Sequence, residues 1–110
     1  MADQKSIVLV PFPYSDLTGR KVRPALIVST PKFNKDEDVI ICALTSSIKK
    51  RPYSITITGK NTARNQLRDE SQIRADTITR IKKDLIIKEI DVLNEATFKN
   101  VLQLLDMIFR

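Results

Sequence analysis

Four polar residues of this chain stand where an apolar strand is predicted to end or turn, and their side chains could do chemistry there. Arg23 precedes Pro24, which disfavours helical backbone at Arg23, so the guanidinium should lie at the start of an extended segment as a candidate anion site. Thr45 follows an apolar run, and Arg74 and Asp76 are two residues apart, so both should point to one face of a strand. Guanidinium, hydroxyl and carboxylate groups are the types that catalysis would require in a protein without histidine.

Each of these residues also has an ordinary structural interpretation. An exposed Arg74–Asp76 ion pair would contribute only about 0–1 kcal/mol to stability and would need no function. A threonine at a strand end often hydrogen-bonds the backbone, and Thr45 fits that description. The residues by themselves therefore leave both interpretations open.

The composition restricts the chemistry further. The chain has no histidine and one cysteine, which excludes an imidazole acid or base, a histidine–cysteine zinc cluster and an intramolecular disulfide. Its two glycines exclude a glycine-rich phosphate loop. Cys42 lies in an apolar run, where a packed and unreactive thiol is expected. Nineteen Lys and Arg against thirteen Asp and Glu leave a net charge of +6, which favours a polyanionic partner such as a nucleic acid.

A length of 110 residues predicts a single domain over residues 1–110. The N-terminus MADQKS lacks the apolar region of a signal peptide. No run approaches the roughly 18 apolar residues needed to cross a bilayer. We therefore expect a soluble, cytoplasmic protein with no membrane segment.

Short runs rich in β-branched residues, separated by turn residues, predict a mostly β chain. The predicted strands are residues 7–10, 25–28, 39–44, 54–58, 66–80 and 85–90. Pro13 to Val22 form a loop of ten residues, a length typical of functional or disordered loops. Asn94 is the predicted N-cap of a helix that runs through Phe109. Strands without βαβ alternation, followed by one helix, predict a small antiparallel barrel or sandwich.

The terminal helix has one apolar face and two apolar residues off it. The face consists of Phe98, Val101, Leu102, Leu105, Ile108 and Phe109, which recur at helical spacing. Leu104 and Met107 lie off this stripe and are expected to contact a second subunit.

Four motifs occur in order along the chain: residues 7–13 (IVLVPFP), 19–26 (GRKVRPAL), 43–46 (ALTS) and 71–76 (SQIRAD). Together they resemble the MazF/PemK (Kid) toxins of type II toxin–antitoxin systems. The Gly-x-x-x-Arg-Pro-Ala-Leu block is the most specific of them, and residues 93–109 correspond to the terminal helix of that family.

The resemblance implies an SH3-like barrel (the CcdB/PemK fold), mainly β with a C-terminal helix, that forms a homodimer. It also implies a metal-independent endoribonuclease, without cofactors, that cuts single-stranded RNA in a sequence-specific way. In this resemblance Arg23 and Thr45 match catalytic residues, and Arg74 and Asp76 match a pair proposed as acid and base. The loop at residues 13–22 matches a mobile loop that gates the RNA site, and the C-terminal tail of a cognate antitoxin occupies the same groove.

The candidate RNA-binding residues follow from this family assignment. They are Tyr14, Arg20, Lys21, Lys49, Lys50 and Arg51, with Lys60, Arg64 and Arg68 as further backbone contacts and Phe33 as a second candidate for base stacking.

The chemistry of RNA cleavage is compatible with these residues. Attack by the 2′-hydroxyl, which leaves a 2′,3′-cyclic phosphate, needs a base and charge stabilisation on the phosphate, but neither metal nor histidine. Asp76 would accept the 2′-hydroxyl proton, with its carboxylate held by Arg74. Arg23 would present a planar fork to the phosphorane oxygens, and Thr45 would hydrogen-bond one of them. Because the pKa of arginine lies above about 12, we expect Arg74 to act electrostatically.

The alternative is a non-catalytic binding module on the same barrel. It would be either an RNA binder or a gyrase poison like CcdB. The gyrase poison relies on a Trp-Gly-Ile terminus, whereas this chain ends in residues 107–110 (MIFR) and has no tryptophan.

Overall fold

The computed structural model describes residues 3–12 and 21–110, which form one antiparallel sheet and one α-helix. The elements are β1 (Ser6–Phe12), β2 (Lys21–Ile27), β3 (Asp38–Thr45), β4 (Ser54–Ile57), β5 (Ser71–Lys82), β6 (Lys88–Val92) and α1 (Glu95–Phe109). Short 3-10 turns cover Phe33–Lys35, Gly59–Asn61 and Lys83–Leu85. No helix among these described residues is long and apolar enough to span a membrane.

The six strands are arranged in the order β4-β5-β3-β2-β1-β6, and every neighbouring pair is antiparallel. The segments that follow the two edge strands meet each other: Thr62 forms an isolated bridge with Leu93, and the N–H of Ala63 donates to the carbonyl of Val92 at 2.8 Å. The sheet is therefore curled into a half-barrel. The predicted mainly β fold with a C-terminal helix is confirmed.

The sheet buries apolar side chains on both of its faces. Residues on β3 alternate between two clusters: Cys42 and Leu44 contribute to the cluster that also contains Phe98 and Val101 of α1. Ile41 of β3 contributes to the cluster on the other face. This is the alternation that a central strand covered on both sides must show. The prediction of a doubly covered strand at residues 39–44 is confirmed.

Helix α1 begins where the sequence predicts. The side chain of Asn94 accepts the N–H of Thr97 at 2.8 Å and caps the helix. Phe98 and Val101 are buried, whereas Leu102 is 42% exposed and Phe109 74% exposed. The apolar face predicted from the sequence is therefore only partly buried in the monomer, with Leu105 packed against the same cluster as Phe98 and Val101. All three buried helix residues, among them Phe98 and Val101, lie in the first half of the helix.

Several predicted strand boundaries are wrong. β2 begins at Lys21 rather than at residue 25, so residues 21 and 22 belong to a strand and not to the predicted loop. β5 begins at Ser71 rather than at residue 66, because the N–H groups of residues 64 and 66 bond to Asp91 instead of to a neighbouring strand. β6 covers Lys88–Val92 rather than residues 85–90, because the chain first makes the 3-10 turn at Lys83–Leu85.

Candidate active site

Arg23 and Thr45 line the same groove at one end of the sheet. Arg23 lies in β2 opposite Val10, and Thr45 is the last residue of β3. Ala25 pairs with Ala43, and extending this register by two residues brings Arg23 opposite Thr45. Among the described residues the groove has a volume of about 840 Å³. The fold thus brings these two predicted residues together.

Arg74 lies on the same face of the sheet, one row from Thr45. The β3–β5 ladder pairs Thr45 with Gln72 and Ala43 with Arg74. Because residues two apart in a strand share a face, Arg23, Thr45 and Arg74 all lie on the face of Ala43. Diagonal neighbours on antiparallel strands are about 7–8 Å apart, a distance that an arginine side chain can bridge. Arg74 is not among the described residues that line the groove.

Asp76 lies in a bulge of β5. Two consecutive β3 residues, Cys42 and Ala43, pair with β5 residues that are not consecutive, so residues 75–77 have no partner on β3. The Nε of Arg74 lies 3.8 Å from the Oδ1 of Asp76, and both side chains remain partly exposed. Like Arg74, Asp76 is not among the described residues that line the groove. The predicted ion pair between Arg74 and Asp76 is therefore present, and it lies at the bulge of β5.

One wall of the groove, formed by residues 64 and 66–69, rests on a buried carboxylate. Asp91 has no exposed surface, and its Oδ1 accepts the N–H groups of Arg64 at 2.9 Å and Val92 at 2.7 Å. Its Oδ2 accepts the N–H of Gln66 at 2.7 Å. Burial by itself would raise the pKa of Asp91, but the hydrogen bonds from Gln66, Val92 and Arg64 outweigh it and hold the pKa below its ordinary value. An ionised Asp91 thus fixes the backbone of this wall.

Both apolar and charged side chains line the groove. The apolar residues are Leu9, Val22, Pro24, Leu44, Leu67 and Ile90, and the cationic ones are Arg23, Arg64, Arg68 and Lys88. Two carboxylates also line it, Asp69 and Glu89. Glu89 pairs with Arg64 and accepts the hydroxyl of Ser6 at 2.6 Å, so its charge is already partnered. A lining that contains both apolar surface and cations suits a ligand that carries both flat bases and phosphates.

The other predicted RNA-binding residues are only partly placed at this site. Lys21 is exposed on β2, and Lys49 and Lys50 are exposed on the connector between β3 and β4. Arg51 is half-buried on that connector. Tyr14 and Arg20, like the rest of residues 13–20, lie outside the described residues.

Phe33 is not placed as a base-stacking residue. The guanidinium of Arg80 lies 5.4 Å from the centre of its ring, and Phe33 is not among the described lining of the groove.

Tyr53, an aromatic residue next to the Arg74–Asp76 pair, was not among the residues predicted from the sequence. Tyr53 is 39% exposed and directly precedes Ser54, which pairs with Arg74. Its φ of 58° is unusual for a bulky side chain. The carbonyl of Tyr53 accepts the N–H of Ala75 at 3.0 Å, which ties it to the bulge of β5. The available signal was an aromatic residue immediately before a predicted strand that alternates polar and apolar residues.

Cys42 is buried, as predicted. Burial raises the pKa of its thiol to about 12, and the negative charge of Asp76 adds to the shift. The expectation of a packed cysteine is confirmed. Within residues 3–12 and 21–110, no three carboxylate or thiol side chains form a cluster that could hold a metal ion.

A family model described as "PemK-like, MazF-like toxin of type II toxin-antitoxin system" matches residues 3–109. The chain belongs to this family. The resemblance inferred from the four motifs is thereby confirmed, and the protein is a toxin of the MazF/PemK type. No curated protein sequence matches the chain.

Solved structures of MazF-type toxins share the fold of this MazF/PemK toxin. A mycobacterial endoribonuclease in complex with its cognate antitoxin has a TM-score of 0.79 at 19% identity, over 97% of this chain and 93% of that one. MazF from Deinococcus radiodurans has a TM-score of 0.77 at 20% identity, over 97% and 94%. The Mycobacterium tuberculosis toxin MazF-mt6 has a TM-score of 0.75 at 14% identity, over 94% and 95%.

Proposed function

We propose that this MazF/PemK toxin is a metal-independent endoribonuclease that cuts single-stranded RNA, chiefly messenger RNA, in a sequence-specific way. The observation that carries the proposal is the placement of Arg23 and Thr45 in one groove, with Arg74 on the same sheet face one row away. Two structural neighbours are named as endoribonucleases, which supports the same reaction class. The proposed substrate places the activity in the cytoplasm.

In the proposed reaction the 2′-oxygen of the RNA attacks the adjacent phosphorus while Asp76 takes the 2′-hydroxyl proton. Arg74, whose Nε lies 3.8 Å from the Oδ1 of Asp76, orients the carboxylate. Arg23 and Thr45 bind the non-bridging oxygens, whose negative charge increases as the phosphorane forms. The bond from phosphorus to the 5′-oxygen then breaks, the leaving oxygen takes a proton from water, and a 2′,3′-cyclic phosphate remains.

The RNA chain is proposed to follow the exposed cations around these four residues. Arg68 and Lys88 on the groove, with Lys49 and Lys50 on the connector, would contact phosphates. The exposed ring of Tyr53 would stack on a base next to the cleaved bond.

We further propose that two copies form a homodimer through the second half of α1 and the adjoining barrel face. Leu102, Met107 and Phe109 expose apolar side chains there, as a buried two-fold interface would require. Neighbours of the same fold are titled as complexes of MazF with MazE or with a cognate antitoxin. By analogy, the C-terminal tail of an antitoxin would occupy the RNA groove of this chain, where its cationic residues suit an acidic peptide.

The test is a cleavage assay on a long single-stranded RNA with EDTA present, comparing the wild type with Arg23→Ala. We expect discrete fragments with 2′,3′-cyclic phosphate ends from the wild type alone. Intact RNA with the folded wild type, or equal cutting by the variant, would reject the proposal. Binding without cutting would instead support the non-catalytic RNA binder.

A further inference from the structure

A buried amide ties the basic connector to the strand that carries Arg74. Gln72 is only 5% exposed and lies between Thr45 on β3 and Thr56 on β4. Its Nε2 donates to the carbonyl of Lys49 at 2.7 Å, and its Oε1 accepts from Nη1 of Arg51. Both ends of the amide are therefore satisfied by the connector.

The same hydrogen-bond network reaches Thr45. Nη1 of Arg51 also donates to the carbonyl of Ser47 at 2.8 Å, and the N–H of Ser47 donates to the hydroxyl of Thr45 at 3.1 Å. The hydroxyl of Ser54 donates to the carbonyl of Arg51 at 2.9 Å and holds the other end of the connector. Arg51 is thus fixed close to the end of β3.

Hydrogen bonds hold the guanidinium of Arg51 in place, but no carboxylate of the described residues neutralises its charge. Within the part of the chain that the structure describes, no carboxylate lies within ion-pair distance of Arg51, and its Nε and Nη2 make no hydrogen bond. A glutamate in place of Gln72 would accept the same hydrogen bond but would cancel the charge. The neutral amide of Gln72 leaves the cation available to an anionic ligand.

We propose that Gln72 is a positioning residue that holds Arg51 as a phosphate-binding cation beside Thr45. This inference rests on the proposed function, because the phosphate belongs to the RNA next to the cleaved bond. Arg51 is then distinct from the exposed lysines of the connector: its position is fixed before RNA binds, so little side-chain entropy is lost on contact.

The salt dependence of RNA binding tests this proposal. The probe is a mixed-sequence single-stranded RNA with methylated 2′-hydroxyls, which cannot undergo attack by those oxygens. Each phosphate contact on a single strand contributes about 0.7 to the slope of log K against log salt concentration, so Arg51→Met should reduce the slope by about 0.7. Gln72→Glu should reduce it by the same amount, because the new carboxylate pairs with Arg51. Both variants should raise KM more than they lower kcat in the cleavage assay.

The controls separate positioning from net charge and from misfolding. Gln103→Glu adds the same charge on the polar face of α1 and should keep the wild-type slope. Gln72→Met removes both hydrogen bonds to the connector without adding a charge and should raise KM as Arg51→Met does. In the Arg51→Met background it should have no further effect, because the two residues act as one unit. Thermal melts identify a variant that fails to fold. If Gln72→Glu does so, Gln72→Met tests the positioning role in its place, and Arg51→Met tests the phosphate contact.

Two results would overturn the inference: a wild-type slope in Arg51→Met, or full additivity of the two substitutions. If the wild type neither binds nor cuts RNA, the proposed function fails with it. If the wild type cuts RNA but the slopes do not change, only the role of Gln72 and Arg51 fails.

Discussion

Arg74 and Asp76 form an ion pair, with 3.8 Å between Nε and Oδ1, at the start of a bulge that leaves residues 75–77 without partners on β3. Bulges redirect side chains and are common beside active sites. In a regular strand the two side chains would stand on the sheet face, whereas here the pairing of β5 with β3 is interrupted at residues 75–77. The carboxylate is partly exposed and lies beside a guanidinium, an arrangement compatible with its proposed role as the proton acceptor.

Asp76→Asn should abolish most cleavage while RNA binding persists. The amide keeps the size of the carboxylate but cannot accept the 2′-hydroxyl proton, and loss of a general base costs about 10²–10⁴-fold in rate. Single-turnover cleavage and binding of a 2′-O-methylated RNA measure the two effects separately. Asp84→Asn removes the same charge at an exposed position and should behave as the wild type. Unchanged cleavage by Asp76→Asn would rule out its role as the base.

Arg23→Lys should lower the cleavage rate about 10²-fold although the charge is kept, because an ammonium group lacks the planar fork that fits two phosphate oxygens. The matched control is Arg80→Lys, which replaces a surface arginine paired with Asp38. Rates for both variants are compared on the same RNA without metal ions. Equal rates for the two lysine variants would show that Arg23 provides charge alone.

The wall of the groove should lose stability in acid. The pKa of Asp91 is lowered in the folded state, so its contribution is complete above the unfolded-state value of about 4 and disappears as pH falls through the folded value. Asp91→Asn should remove this pH dependence and lower the free energy of unfolding by about 2–3 kcal/mol at neutral pH, because buried N–H groups lose a charged acceptor. Urea unfolding at several pH values measures both effects. A variant as stable as the wild type at neutral pH would contradict this account.

Cys42 should be inert in the folded protein. Its pKa of about 12 leaves little thiolate, and the thiol has no exposed surface. Iodoacetamide should label the chain in urea but not under native conditions at the same pH. Rapid native labelling would show that the sheet opens at β3 far more often than its burial implies.

The proposed dimer depends on the exposed half of α1. Met107 is 63% exposed and Phe109 74% exposed, and burying such side chains contributes about 1.5–3 kcal/mol each. Phe109→Ser should therefore weaken dimerisation about tenfold or more, measured by sedimentation equilibrium. Lys99→Ser, on the polar face of the same helix, should leave the dimer constant unchanged. A monomeric wild type at micromolar concentration would contradict the interface.

Most of the fold could be predicted because local patterns specify it. The alternation at residues 54–58 and the apolar run at 39–44 predicted strands that are present at Ser54–Ile57 and Asp38–Thr45. Asn94 predicted the start of α1. The bulge at residues 75–77 could not be predicted, because alternating apolar and polar residues there are typical of a regular strand. Likewise, helical periodicity predicts which residues share the apolar face of α1. It does not predict how many of them pack against the sheet.

Local patterns alone specify the strand and helix order, the absence of histidine chemistry, the buried thiol and the family motifs. These depend on residue type and on spacing within one segment. Which residues meet depends instead on how distant segments pack against each other. Arg23 and Thr45 share a groove because β2 and β3 are neighbours in register, and Asp91 fixes the groove wall through backbone N–H groups more than 20 residues away. Gln72 binds the connector for the same reason: hydrogen bonds between distant segments follow from the packing of the sheet, which no local pattern encodes.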